Sequence, residues 1–141
     1  IDLWQAQYFD TAVLPPCVYG SQFIVDGDTL HIRVTQRSCD VGLGLPYNIT
    51  QYAAFVSMIA HVTGLKPGKM LYQITDTHIY CKHIPAIKEM IKRRADAKPA
   101  PKLWLNPEIK DFFEFDNSRE LKDIKLIGYE HLGKVPMEVS I

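Results

Sequence analysis

Cysteine is scarce in this chain, and the three it has, Cys17, Cys39 and Cys81, cannot all pair. None has metal-ligand spacing such as CxxC, so no metal is expected, and free thiols fit a reducing, intracellular setting. Charge of one sign is also missing: 16 Lys and Arg balance 16 Asp and Glu. A basic stripe for nucleic acid and an acidic tail favouring disorder are thereby excluded, though a single phosphate-binding arginine is not. There is no apolar run of membrane-spanning length, no signal-peptide pattern, no internal repeat and no low-complexity tract. No methionine opens the chain; Ile1-Asp2-Leu3-Trp4 is mid-strand in character, which leads us to expect a piece of a longer protein. What is present is ordinary for a soluble globular domain: 141 residues, 47% apolar and 23% charged. The expectation is a cytoplasmic protein.

Residues 1–5 read as a strand and Asp10–Pro16 as a turn closed by a double proline. Val18–Val25 and Thr29–Thr35 are β-rich, with hairpin chemistry at Asp26-Gly27-Asp28 between them. Leu30, Ile32 and Val34 alternate with His31, Arg33 and Thr35, so one face should be buried. From Asn48 to Val62, apolar residues recur at helical spacing until Gly64 stops the run; the wide stripe places this helix deep in the core. Lys66-Pro67-Gly68 turns the chain into a strand at about Met70–Thr75. A second helix over Ile84–Arg94 starts on Pro85 and shows Ile84, Ile87 and Ile91 on one face. A loop at Ala95–Pro101 precedes a short strand at Lys102–Leu105. An irregular, mobile connection over Asn106–Glu120 leads to a strand at Asp123–Tyr129. The tail ends on alternating Val135, Met137, Val139 and Ile141. Strand pairs adjacent in sequence, mixed with helices, give an α+β class.

The chemistry concentrates in Gln36–Asn48, QRSCDVGLGLPYN, downstream of LPPC at Leu14–Cys17. A linker would not require that mixture of arginine, serine, aspartate, glycine and asparagine; a pocket for a phosphate and a polar heterocycle would. Cys17 follows two prolines of fixed φ, so its backbone is rigidly presented. A nearby cation, with Arg37 the candidate, makes a thiol a strong nucleophile, whereas composition alone favours a buried, inert cysteine. Arg37 and Ser38 side by side can grip a phosphate dianion. Taken as two residues, they equally describe a surface arginine and a turn serine. The Asn48 amide offers a donor and an acceptor that match the O4 and N3–H edge of uracil, but its place also suits the start of a helix. His78 and Tyr80 share a strand face and can hold a sugar hydroxyl or stand as structural residues. Asp40 is a loop carboxylate or a ligand contact. Gln22, Gln36, Gly44 and Tyr47 are expected to shape the pocket.

In order and spacing, LPPC, QRSCDVGLGLPYN and DTHIYCKH at Asp76–His83 resemble thymidylate synthase and its relatives the pyrimidine hydroxymethylases. MIAHVTGLKPG at Met58–Gly68, PKLWL at Pro101–Leu105 and LIGYE at Leu126–Glu130 extend the likeness over nearly the whole chain. The resemblance implies the C-terminal catalytic portion of that α+β fold, a mixed sheet around a buried central helix, over residues 1–141. It implies that Cys17 attacks C6 of the pyrimidine and that Arg37 and Ser38 hold the 5′-phosphate. Asn48 then reads uracil, and His78 and Tyr80 bond the deoxyribose 3′-OH. Asp40, with Gly44 beside it, contacts the folate co-substrate, 5,10-methylenetetrahydrofolate, and Asp40 takes part in catalysis. Relatives acting on dCMP tend to carry aspartate at the Asn48 position, so dUMP is the expected nucleotide. A homodimer through a sheet face near residues 18–35 is implied, with neither nucleic acid nor membrane as a partner.

Two departures stand out. Most synthases have histidine after PPC where this chain has Val18, and the tail GYEHLGKVPMEVSI lacks the HP pair usual after glycine-tyrosine. Three readings follow. A thymidylate synthase finishes the transferred carbon as a methyl group, and a dUMP hydroxymethylase quenches it with water; the core motifs place the synthase narrowly ahead. The third is a non-catalytic nucleotide-binding fragment, and the chain by itself is expected to be inactive.

Overall fold

Alternating apolar and polar residues make the strand that organises the sheet, and this strand is longer than its sequence pattern. In the computed structural model, which describes residues 1–118 and 120–139, strand β1 (Val18–Asp26) pairs antiparallel with β2 (Thr29–Asp40). The turn between them uses Gly27 at φ 59°, a left-handed conformation that costs glycine nothing. Thus Arg37, Ser38 and Asp40 lie on a strand rather than in a loop. Helix α1 (Gly44–Thr63) then crosses over to β3 (Lys66–His78), which runs parallel to β2, so β2 is central in the order β1-β2-β3. Lys66-Pro67-Gly68 therefore opens a strand instead of a turn; β3 is an edge of this sheet, where a proline's missing N–H is tolerated.

The core forms where α1 lies on the sheet. Leu30, Ile32 and Val34 meet Tyr52, Val56 and Ala60, with Val18 at the margin. Phe23, Phe55, Met70 and Tyr72 close the rim. Side chains of α1 away from this stripe, such as Ile49, are substantially exposed. The helix starts four residues before Asn48, because Pro46 fits a first turn whose N–H groups have no intrahelical partner anyway. It ends as expected on Gly64, at φ 70°.

Residues 1–5 do not form a strand; one bridge joins Asp2 to Gly20, and the Trp4 indole donates to the Pro16 carbonyl (3.0 Å) before a 3₁₀ turn at Ala6–Tyr8. Past β3, a 3₁₀ turn at Cys81–His83 leads into α2 (Ile84–Lys92), and a further turn follows at Arg93–Asp96. Ile84 and Ile91 remain exposed, and α2 packs through the half-buried Ile87, whose Cδ1 lies against Gly42. Strands β4 (Lys102–Leu105) and β5 (Ile124–Ile127) form a separate antiparallel ribbon. Through Val139 the tail forms no strand despite its alternation. It runs beside α2, held at its backbone carbonyls: Lys82 donates to Val139 (3.1 Å), Arg93 to Leu132 (3.1 Å), and His83 meets Glu138 (2.7 Å). Ile141 lies outside the described residues.

Candidate functional site

A β2–α1–β3 crossover sets the carboxyl ends of two parallel strands beside the start of a helix, a place where open sheets bind ligands. The register there pairs Ser38 with Asp76, Cys39 with Thr77 and Asp40 with His78. The candidate residues other than Cys17 and Gln22 come from these strand ends, the segment just past β3 or the first turns of α1. Cys17 joins them from the entry to β1.

Cys17 is exposed, and its carbonyl accepts from the Arg37 N–H (2.8 Å). The Arg37 guanidinium turns back over the same segment and donates Nη2–H to the Pro15 carbonyl (2.7 Å), while its buried Nε has no partner. The double proline is thus clamped to β2 from two sides, and the cation stands beside the thiol-bearing loop. Ser38 donates its hydroxyl to Asp76 (3.2 Å). His78 Nδ1 lies 3.3 Å from the same Asp76 oxygen without hydrogen-bond alignment. Tyr80 is not on the strand, which ends at His78, but the chain still brings the two rings together edge to face, centroids 5.1 Å apart.

Asn48 faces β2 from the second turn of α1, and its Oδ1 accepts from Gln36 Nε2 (3.2 Å). Gln36 is only 2% exposed, donates also to the Ser38 carbonyl (2.7 Å) and accepts from the Tyr72 hydroxyl (2.7 Å). Burial pushes the Tyr72 hydroxyl up to about 12, with Tyr52 and Cys39 adding to the effect. The sequence reading gave Gln36 no chemistry. The available signal was a polar residue continuing the inward row of Leu30, Ile32 and Val34, which a buried strand tolerates only if it is fully bonded.

Asp40 accepts the Gly42 N–H at Oδ1 (3.0 Å), and its Oδ2 lies 3.6 Å from Nδ1 of His83. His83, 1% exposed, was quoted within the third motif but given no role. A Cβ on Gly44 would come 3.8 Å from the Asp40 Cβ and 3.9 Å from Asn48 Oδ1, so the glycine keeps open the space between those two side chains. Burial and the Asp40 carboxylate raise the Cys39 thiol above its ordinary range, whereas Cys81 is exposed.

Two expected contributors lie elsewhere. Gln22 pairs with Arg33 on the sheet face turned away from α1. Tyr47 lines a cleft of about 610 Å³ between the start of α1, the end of α2 and the tail; Arg93, Arg94 and His131 share its wall, but Cys17 does not. Among the described residues no group of His, Cys, Asp and Glu is placed to hold a metal ion, and no helix is long and apolar enough to cross a membrane.

The thymidylate synthase family model matches residues 1–141. The thymidylate synthase of Clostridium beijerinckii is 43% identical over 141 residues, covering all of this chain and 52% of the relative. That of Bacillus phage phi3T is 41% identical over 139 residues, 99% of this chain and 48% of the relative. Thermostable thymidylate synthase A from Bacillus subtilis superposes with a TM-score of 0.88 at 41% identity, over 98% of this chain and 48% of that structure. The chain therefore spans about half the length of these relatives.

Proposed function

This chain belongs to the thymidylate synthase family, and we propose that in the whole protein it carries the nucleotide-binding and nucleophilic part of a site that transfers one carbon from 5,10-methylenetetrahydrofolate to C5 of dUMP. The Cys17 thiolate adds to C6, and the electron pair delivered to C5 forms the new bond to the folate's methylene carbon as that carbon's bond to N10 opens. C5 then loses its proton while the methylene–N5 bond breaks and frees tetrahydrofolate; hydride from tetrahydrofolate adds to the exocyclic methylene as the Cys17–C6 bond breaks, giving dTMP, dihydrofolate and the free thiolate.

The observation that carries this reading is the convergence of Cys17, Arg37, Ser38 and Asn48 on one end of the β2–α1–β3 unit, each backed by a hydrogen bond to its scaffold. Arg37 and Ser38 receive the 5′-phosphate, and the phosphate then replaces Asp76 as the acceptor for the serine. Gln36 fixes the Asn48 amide from behind. That leaves Nδ2 to donate to O4 of uracil and a second Oδ1 lone pair to accept from N3–H. His78 and Tyr80 take the 3′-OH. Asp40 offers its carboxylate to the N–H donors of the pterin across the space that Gly44 leaves clear. The partner in the assembly is a second copy, joined through the outward face of the β1-β2-β3 sheet.

The alternative product is 5-hydroxymethyl-dUMP, favoured by Val18 and the altered tail. Support for the synthase comes from the relatives named above, one of them from a phage and all called thymidylate synthases. The test is to incubate the intact protein with dUMP and 5,10-methylenetetrahydrofolate and identify products by mass spectrometry. We expect dTMP with dihydrofolate. Hydroxymethylated nucleotide with tetrahydrofolate would move the protein to the other branch, and an unreactive mixture would leave a nucleotide-binding domain. Residues 1–141 alone should give no turnover.

A further inference from the structure

His83 is buried, and the reaction as described makes no use of it. Its surroundings pose a question of proton inventory. Nε2 lies 2.7 Å from the Glu138 carbonyl, which can only accept, so Nε2 carries a proton. Nδ1 lies 3.6 Å from Asp40 Oδ2, is sealed from solvent and has no hydrogen-bond partner. A doubly protonated ring would draw the carboxylate into a charge-assisted bond of about 2.7–2.9 Å. The wider gap fits two electron-rich atoms facing each other. With the tail docked, Nδ1 makes no hydrogen bond to Asp40.

We propose that His83 is a positioning residue that shares its single ring proton between the C-terminal tail and Asp40. With the tail docked, the proton sits on Nε2 and bonds Glu138. When the tail lifts, Nε2 gives its proton to solvent and Nδ1 takes one up, with no change in net charge; Nδ1–H then bonds Asp40. Docking thus strips a donor from Asp40 Oδ2 and frees that oxygen to accept from a ligand, while lifting occupies it again. The tail's position and the readiness of Asp40 become one equilibrium. The consequence for folate rests on the reading of Asp40 given above, but the tautomer exchange does not.

Two measurements on the intact protein separate these points. Nitrogen-15 spectra of the His83 ring are compared between the intact protein and one truncated after Lys134. We expect a bare Nδ1 in the first and a protonated Nδ1 in the second. The same tautomer in both, or two protonated nitrogens in the intact protein, would overturn the proposal. Independently, Asp40→Asn presents an amide that donates to the bare Nδ1, so the docked state gains a hydrogen bond. Cleavage of the tail after Glu138 by a glutamate-specific protease should then slow about fivefold, the factor one net hydrogen bond implies. Unchanged or faster cleavage would count against it. Folate affinity in the same variant reports on the role of Asp40, and its loss or retention leaves the tautomer result standing.

Discussion

Gln36 engages Tyr72, Asn48 and the Ser38 carbonyl from one buried amide. Replacing it with leucine fills the space but strands the Tyr72 hydroxyl and frees the Asn48 amide to rotate. Since an abandoned buried partner costs about 1–3 kcal/mol, Gln36→Leu should lower unfolding free energy by roughly 2 kcal/mol in a urea titration and weaken dUMP binding at the same time. Asn48→Asp tests the base-reading role directly. A carboxylate can accept from the 4-amino group of cytosine but repels O4 of uracil, so binding measured by calorimetry should shift from dUMP towards dCMP. An unaltered preference would remove Asn48 from the base edge. At this scale the sequence marked out candidate residues and was silent about their support. Cys17, Arg37 and Asn48 sit in recognisable motifs, whereas the contacts of Gln36 with Tyr72 and of His83 with Glu138 join residues 36 and 55 positions apart. Such contacts depend on the crossover and the tail path, which no local pattern encodes.

Strand β3 contributes a pH dependence. In the folded protein burial holds the Tyr72 proton to about 12, whereas an exposed tyrosine in the unfolded chain releases it at the ordinary value of 10.0. Between those values the unfolded chain has released a proton that the native state keeps, so stability is full below about pH 10 and falls as pH rises to about 12. Tyr72→Phe should flatten that alkaline decline in chemical unfolding measured across the range, whatever it costs at neutral pH. The same strand explains a glycine. A Cβ on Gly68 would lie 2.6 Å from His31 Nδ1, which accepts the Lys69 N–H, and 2.7 Å from the Thr29 Cγ2. Gly68→Ala should destabilise by about 1–3 kcal/mol, the usual cost of overpacking, read as a lower denaturation midpoint. The elements themselves were largely legible, because alternation and helical spacing report burial. Their ends were not. The central strand runs to Asp40 since parallel pairing with β3 continues through Ser38, Cys39 and Asp40, and that partner is remote in sequence. The alternating tail forms no strand over its described residues for a related reason: its carbonyls are taken by side chains of the α2 region rather than by a neighbouring strand.

For the whole molecule, the outward face of the sheet is the feature to test. Ile24 and Leu71 are 58% and 63% exposed there, flanking the central strand near Arg33, whose guanidinium donates to Gln73 (2.5 Å). If a second copy covers this face, Leu71→Lys should put an unpaired charge into the contact and shift the protein towards half its mass in sedimentation velocity, with the fold retained by circular dichroism. Undiminished mass would place the assembly contact elsewhere. The tail offers a different kind of consequence. Because Lys82, His83 and Arg93 grip its carbonyls, recognition follows the path of the main chain and is blind to the letters written along it. A lineage can therefore rewrite this segment, losing the usual HP pair for instance, and still inherit a tail that finds its berth. For the experimenter the same indifference makes exposed tail positions such as Val139 places to hang a fluorescent reporter.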